Sequence, residues 1–340
     1  MDKKLLLFFS PLLFVSCISL SSVDIQVLEP ASEPLPTEIE SVVIINRVII
    51  NGTDQKEIKL PGLVTGEFYN QVTTEVIFSL ADILNESPGI DFIENDNLLE
   101  IPGSFPAVVP EIFEYEFVDH ICDSLGKDGI ISLDVFFAEF TDSINLITGS
   151  AETGWTDYFR GDIKMNIVSL WRTYGKTRED LVDEYVLLDT LHWIYSAYTR
   201  SELVENLPSA TEALMEAAYY AALDYARRVA PYWKEETRYY FSKGNRHFRL
   251  AAYYIENGQL ERAESILDSL LESYNKNVAA AAAYNLAYIN ELKGNYRQAL
   301  NHAMESYQLN RHPVTSDYID ILEGRLKKSR ELDRQLGMEQ

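Results

Sequence analysis

The sequence predicts an α+β fold: a small α/β layer domain with a mixed sheet, followed by an all-α module of helical hairpins. Three patterns predict it. From residue 41 to about residue 170, β-branched runs alternate with apolar stripes at steps of three and four, the periods of strand and helix. Past Pro208 the helical period dominates. Residues 246–310 then repeat themselves at an offset of 36, from Gly258 to Gly294.

The elements follow in order. Residues 30–39 hold three prolines and read as an extended connector. Ser41–Ile50, rich in Val and Ile, is a buried strand closed by the turn signal Asn51-Gly52. Phe68, Val72, Val76, Leu80 and Leu84 fall on one helix face, ending at Ser87-Pro88-Gly89. Ile90–Ile93 reads as a short strand. Phe117, Val118, Ile121, Cys122 and Leu125 form a second helical stripe, stopped by Gly126 and Gly129. Ile130–Phe140 is a central strand, and residues 150–160 are a loop. Ile163, Met165 and Ile167 alternate with Lys164, Asn166 and Val168 as in a half-buried strand, and residues 184–198 supply its antiparallel neighbour.

Ser209 with Glu212 forms a capping box, and Pro231 stops that helix after Ala230. Tyr232–Tyr240 is one more strand or an extended connector. The expected division is 1–16 signal peptide, 17–40 tether, 41–205 α/β domain and 206–340 helical domain. The repeats lie at about 244–274 and 280–310, and a capping helix covers 314–336.

Charge narrows the partners. The chain carries a net charge of −24, and its acidity is concentrated: residues 21–150 hold 24 Asp and Glu against 4 Lys and Arg. Such a field repels phosphate backbones and anionic lipid surfaces, which disfavours nucleic-acid binding by that half. A basic partner or a diffuse cloud of divalent cations suits it, and so does a role in solubility alone.

The first residues read as an export signal. Lys3 and Lys4 precede an apolar run of 11 residues, Leu5–Val15. As a helix the run rises only about 16 Å, too short for a ~30 Å hydrocarbon layer. Phe14-Val15-Ser16-Cys17 resembles a bacterial lipobox, although Phe14 stands where Leu is usual. The resemblance implies cleavage before Cys17 and lipid attachment to its thiol; two or more acyl chains anchor stably where one does not. With Cys17 acylated, Cys122 has no disulfide partner. Some lipoproteins of the Bacteroidota carry an acidic surface-export tag after this Cys. Here Ile-Ser-Leu-Ser-Ser-Val follows, which by that resemblance implies an outer-membrane protein facing the periplasm.

In the repeat, Ala251, Ala263, Ala287 and Ala299 let helices approach closely, and Gly258 and Gly294 end the first helix of each pair. Tyr284-Asn285-Leu286-Ala287 and Gly294-Asn295-Tyr296-Arg297-Gln298-Ala299-Leu300 resemble the tetratricopeptide repeat, whose period is about 34. That resemblance implies a concave groove lined by Asn245, Phe248, Ala252 and Ile255 in the first copy and by Tyr284, Tyr288 and Glu291 in the second. The alternative is that these aromatics pack against the α/β domain and bind nothing else. Asp128-Gly129-Ile130-Ile131-Ser132-Leu133 is similar to the compact domain of TolB-like and curli-secretion-type envelope lipoproteins, over roughly residues 40–175. Ala226-Arg227-Arg228-Val229-Ala230-Pro231-Tyr232-Trp233, and Arg238-Tyr239-Tyr240 running into Gly244-Asn245, resemble a tetratricopeptide lipoprotein family of the Bacteroidota. That resemblance bears on architecture and location and implies no activity.

No catalytic constellation emerges. The five histidines show no metal-ligand spacing, no Cys cluster exists, and nucleophile-elbow, P-loop and dinucleotide motifs are missing. Asp91, Glu94 and Asp96 imitate a Ca²⁺ loop without its glycine and terminal Glu. The expectation is a non-catalytic envelope scaffold without cofactor or metal, lipid-anchored through Cys17, whose groove binds an envelope protein or peptide. The alternative is a glycan-binding lipoprotein of SusD-like type, with Trp155, Trp171, Trp193 and Trp233 as stacking faces.

Overall fold

A computed structural model describes residues 19–49, 66–91, 93–102, 109–149 and 156–338. The element order is β1 (Leu20–Glu29), β2 (Val42–Ile49), α1 (Gly66–Asn85), β3 (Leu98–Pro102), α2 (Tyr115–Leu125), β4 (Gly129–Ile147), β5 (Tyr158–Gly175) and β6 (Leu181–Ala197). There follow α3 (Arg200–Glu205), α4 (Ala210–Val229), β7 (Tyr232–Phe241), α5 (Arg246–Glu256), α6 (Leu260–Leu271), α7 (Lys276–Leu292), α8 (Tyr296–Leu309) and α9 (Pro313–Gln335). The fold is α+β. It divides into two compact units: a sheet unit of Leu28–Trp233 with the chain end from Leu332, and a helical unit of Lys234–Glu331 with the strand residues up to Val27. Cys17 and the Asn51-Gly52 turn lie outside the described residues.

The sheet unit is built on five strands in the order β3-β2-β4-β5-β6. β2 pairs in parallel with β3 and β4, and β4, β5 and β6 run antiparallel. β2 is covered on both faces, which is why Val42–Ile45 is continuously apolar. Val42 and Ile44 enter a core shared with α1 and α4, while Val43 and Ile45 meet Val118 and Cys122 of α2. Gly129 starts β4 against the backbone: a Cβ there would lie 2.7 Å from the Tyr174 carbonyl oxygen. Gly126 ends α2 at φ 65°, the left-handed conformation a glycine adopts without strain.

Several boundaries differ from the sequence reading: β4 runs on to Ile147 past the expected end at Phe140, and β5 starts at Tyr158 inside the expected loop, because the two strands pair along their whole length. Ile90, Asp91 and Ile93 form no strand; Asn85 donates to the Ile93 carbonyl and accepts from the Ile93 N–H, taking the groups a ladder needs, and the strand forms later as β3. The tether assigned to 17–40 contains β1. The helix assigned to the C-terminal domain, α4, belongs to the sheet unit. Its Ala213, Ala217, Ala218, Ala221, Ala222 and Ala226 are buried in the core shared with α1, because small side chains let the two backbones approach. The Ser209–Glu212 capping box starts α4, and Ala230 caps its end just before Pro231.

In the helical unit α5–α6 and α7–α8 are hairpins turned at Gly258 (φ 69°) and Gly294 (φ 75°). α7 is buried continuously from Ala279 to Glu291, as a helix with small or apolar side chains all round must be. β1 and β7 form a two-stranded sheet. The Ser242 N–H donates to the Ser19 carbonyl at 3.1 Å and the Thr237 hydroxyl to Asp24 at 2.7 Å, so the strands run in opposite directions. Among the described residues no helix is long and apolar enough to cross a membrane.

Candidate functional site

The seven groove positions do come together in the helical unit, but not as an open surface. Phe248, Ala252, Ile255, Tyr284, Tyr288 and Glu291 are buried, and half-buried Asn245 caps α5 by accepting the Phe248 N–H at 2.9 Å. β7 of the same chain packs on the second-copy positions Tyr284, Tyr288 and Glu291, in the core that Phe248, Ala252 and Ile255 share. Asn285 on α7 accepts the Phe241 N–H and donates to the Phe241 carbonyl, both at 2.8 Å. One amide thus satisfies both backbone groups of an extended residue, in place of a neighbouring strand. Tyr240 stacks on Tyr288 with ring centres 5.8 Å apart, and Phe241 meets Tyr284 edge-on at 5.3 Å.

Beside this clamp lies a buried charge network. The Arg238 guanidinium on β7 donates to both carboxylate oxygens of Glu291 at 2.8–3.0 Å, and the Tyr318 hydroxyl on α9 donates to the same carboxylate at 2.6 Å. Glu236 takes a further bond from Arg238 at 2.8 Å. Burial alone would lower the Arg238 pKa; the bonds and charge of Glu291 outweigh it and hold the group above its ordinary value. Burial, then Glu291, raises Tyr318 well above the usual phenol range. The expectation of an open peptide groove is therefore corrected: the groove is filled in cis, since a strand with apolar Tyr240 and Phe241 and a buried Arg238 finds its partners there. Arg238 and Asn285 were not singled out from the sequence. The signal was present, a charge and an amide on elements otherwise apolar and destined for burial.

Raised phenols are common to both units. Tyr185 is pushed up to about 12 by burial and Asp224, Tyr220 to about 12 by its bond to Asp189, and Tyr288 to about 12 by burial and Glu291. At pH below 10 both folded and unfolded chains keep these protons. Between pH 10 and 12 the unfolded chain releases protons that the folded chain holds, so stability falls as pH rises. Urea unfolding followed by far-UV ellipticity should show a midpoint flat from pH 7 to about 9 and dropping steeply above about 10.

Other sequence candidates are dispersed. Among the described residues no three His, Cys, Asp or Glu are grouped to hold a metal ion. His192 pairs with Asp162 at 2.9 Å on the sheet. Cys122 is buried, and burial pushes its thiol up to about 11, away from nucleophilic chemistry. Trp171 is fully buried, Trp193 packs on the α4 side of the sheet, Trp233 is 51% exposed, and Trp155 lies outside the described residues. No run of exposed tryptophans forms among the described residues. A 350 Å³ cleft near the start of α4 is lined by Phe140, Ile163, Val204 and Leu207, with Glu212 committed to its capping box.

The sheet unit leaves a different feature open. β6 is an edge strand of 17 residues, and among the described residues no strand pairs with its outer side. It contains no Lys, Arg or Pro, and its acids Asp183, Glu184 and Asp189 are bonded to Arg228, Arg172 and Tyr220. Leu187 turns into the core under α4, while its neighbours Val186 and Leu188 stand 50% and 72% exposed. In register with them, Val135–Leu170–Val186 and Phe137–Val168–Leu188 form two apolar rows crossing β4, β5 and β6.

The class these features define is an α+β protein that joins a mixed sheet with an unguarded edge to a helical-hairpin unit holding its own strand. The chain belongs to the family described as domain of unknown function DUF8603, whose pattern matches residues 39–241. Residues 249–324 are similar to a second family, domain of unknown function DUF6340. No curated protein matches the chain.

Proposed function

We propose that this chain is a non-catalytic scaffold of the bacterial envelope, anchored through lipid on Cys17 in the outer membrane and facing the periplasm, which takes an extended segment of a partner protein as an added strand on β6. The observation that carries the reading is the β6 edge: a 17-residue strand without Lys, Arg or Pro, unpaired on its outer side among the described residues, with Val186 and Leu188 exposed. Strand addition gains affinity from main-chain bonds and specificity from alternate side chains, and two apolar rows leading to the edge supply the second. The lipobox-like Phe14-Val15-Ser16-Cys17 supports the anchor, and the tetratricopeptide-like hairpins support a scaffold architecture.

The test is co-purification from native membranes of the intact protein and of a Val186→Lys/Leu188→Lys variant. Both sites are exposed, so stability should change by no more than about 0.5 kcal/mol. Loss of a recurrent envelope protein in the variant supports the reading. A partner set identical to that of the unaltered chain sinks it.

A further inference from the structure

In the sequence, Ile18 alone separates Cys17, the proposed lipid-attachment residue, from Ser19, the first described residue. Ser19 is fixed by the Ser242 N–H, and Ser21 and Ser242 share a hydroxyl–hydroxyl bond of 2.6 Å. The residues that follow Ser242 are Lys243, Gly244, Asn245, Arg246, His247, Phe248 and Arg249.

This is a basic stretch in an acidic protein. From Thr237 to Ile255 there is no Asp or Glu, although acids outnumber bases 53 to 29 in the chain. Lys243, Arg246 and Arg249 are exposed and make no side-chain bond or ion pair among the described residues. α5 divides cleanly. Phe248, Ala251, Ala252 and Ile255 are buried, while Arg246, Arg249, Leu250 and Tyr253 share the opposite stripe. Leu250 and Tyr253 are themselves exposed. Cations beside an exposed Leu and Tyr suit an interface between headgroups and acyl chains.

We propose that this stripe of α5 is a membrane-docking surface: Lys243, Arg246 and Arg249 meet the phosphates of anionic lipid headgroups in the leaflet that holds the Cys17 lipid, and Leu250 and Tyr253 enter the interface. The inference rests on the anchor reading and adds an orientation to it. An anionic leaflet repels the net charge of −24. Screening over about 8 Å leaves the nearest charges to decide which side faces the lipid, and the basic patch is the side the anchor brings near.

The test uses the lipidated chain with Tyr253→Cys carrying a nitroxide; buried Cys122 stays unlabelled. It is reconstituted on vesicles of phosphatidylcholine alone or mixed with phosphatidylglycerol. Collisions of the label with a water-soluble nickel chelate should fall several-fold on the mixed vesicles at low salt and recover in high salt. Lys243→Glu/Arg246→Glu/Arg249→Glu should restore full collision while the protein still floats with the vesicles and keeps its circular dichroism. Equal collision on both vesicle types by a floating protein overturns the docking surface and leaves the anchor standing. Failure to float on neutral vesicles overturns the anchor, and the docking surface then survives only if the label is still protected on anionic ones.

Discussion

Glu291→Ala is expected to cost about 3–5 kcal/mol of stability, because it strips a buried guanidinium of its principal counter-charge. Arg238 gives Glu291 three hydrogen bonds, and Tyr318 gives it a fourth. In the variant Arg238 keeps one counter-charge, Glu236, whose side chain is partly exposed, beside its bond to the Thr237 carbonyl, and the Tyr318 hydroxyl loses its carboxylate acceptor. Glu291→Gln retains two polar atoms and should cost less. The decisive comparison is a paired replacement, Arg238→Met with Glu291→Leu. A buried ion pair exchanged for apolar side chains of similar volume is often neutral, so the double variant should be more stable than Glu291→Ala alone. Urea unfolding read by helical ellipticity checks this, and a double variant no better than the single one would show that the charges themselves hold β7.

Trp171→Ala is expected to cost the sheet unit about 3–5 kcal/mol, the range for emptying a large buried aromatic site. Trp171 has no exposure and stacks on Tyr225 with ring centres 4.8 Å apart and planes 8° from parallel. That contact ties β5 to α4. Its indole N–H has no hydrogen-bond partner among the described residues, a burden of about 1–3 kcal/mol. Trp171→Phe removes that burden together with part of the packing, so it should cost far less than Trp171→Ala. Thermal unfolding monitored by near-UV circular dichroism distinguishes the two; equal losses would mean that the indole N–H is satisfied in solution.

What the sequence made legible was the part fixed by local periodicity. The four-step stripe from Phe68 to Leu84 is α1, and the alternation around Met165 is β5, because each element buries one face against one core. The capping box at Ser209 and the glycine turns at Gly258 and Gly294 follow from backbone chemistry within a few residues. Non-local partners were not legible. β1 pairs with a strand more than 200 residues away and alternates exposed Ser22, Asp24 and Gln26, so nothing local separates it from a tether. The groove positions are buried beside β7, whose Tyr240 and Phe241 read equally well as strand or connector. The open side of β6 is a property of sheet order, which periodicity does not encode.

The scaffold reading is tested most directly by a photo-crosslinking residue placed at Leu188 in the intact protein in its native membranes, with a second at exposed Tyr274 as reference. The account predicts a discrete protein adduct at position 188 that is absent at position 274 and is lost when Val186 is changed to Lys. The same background at both positions, with no discrete adduct at 188, would contradict it.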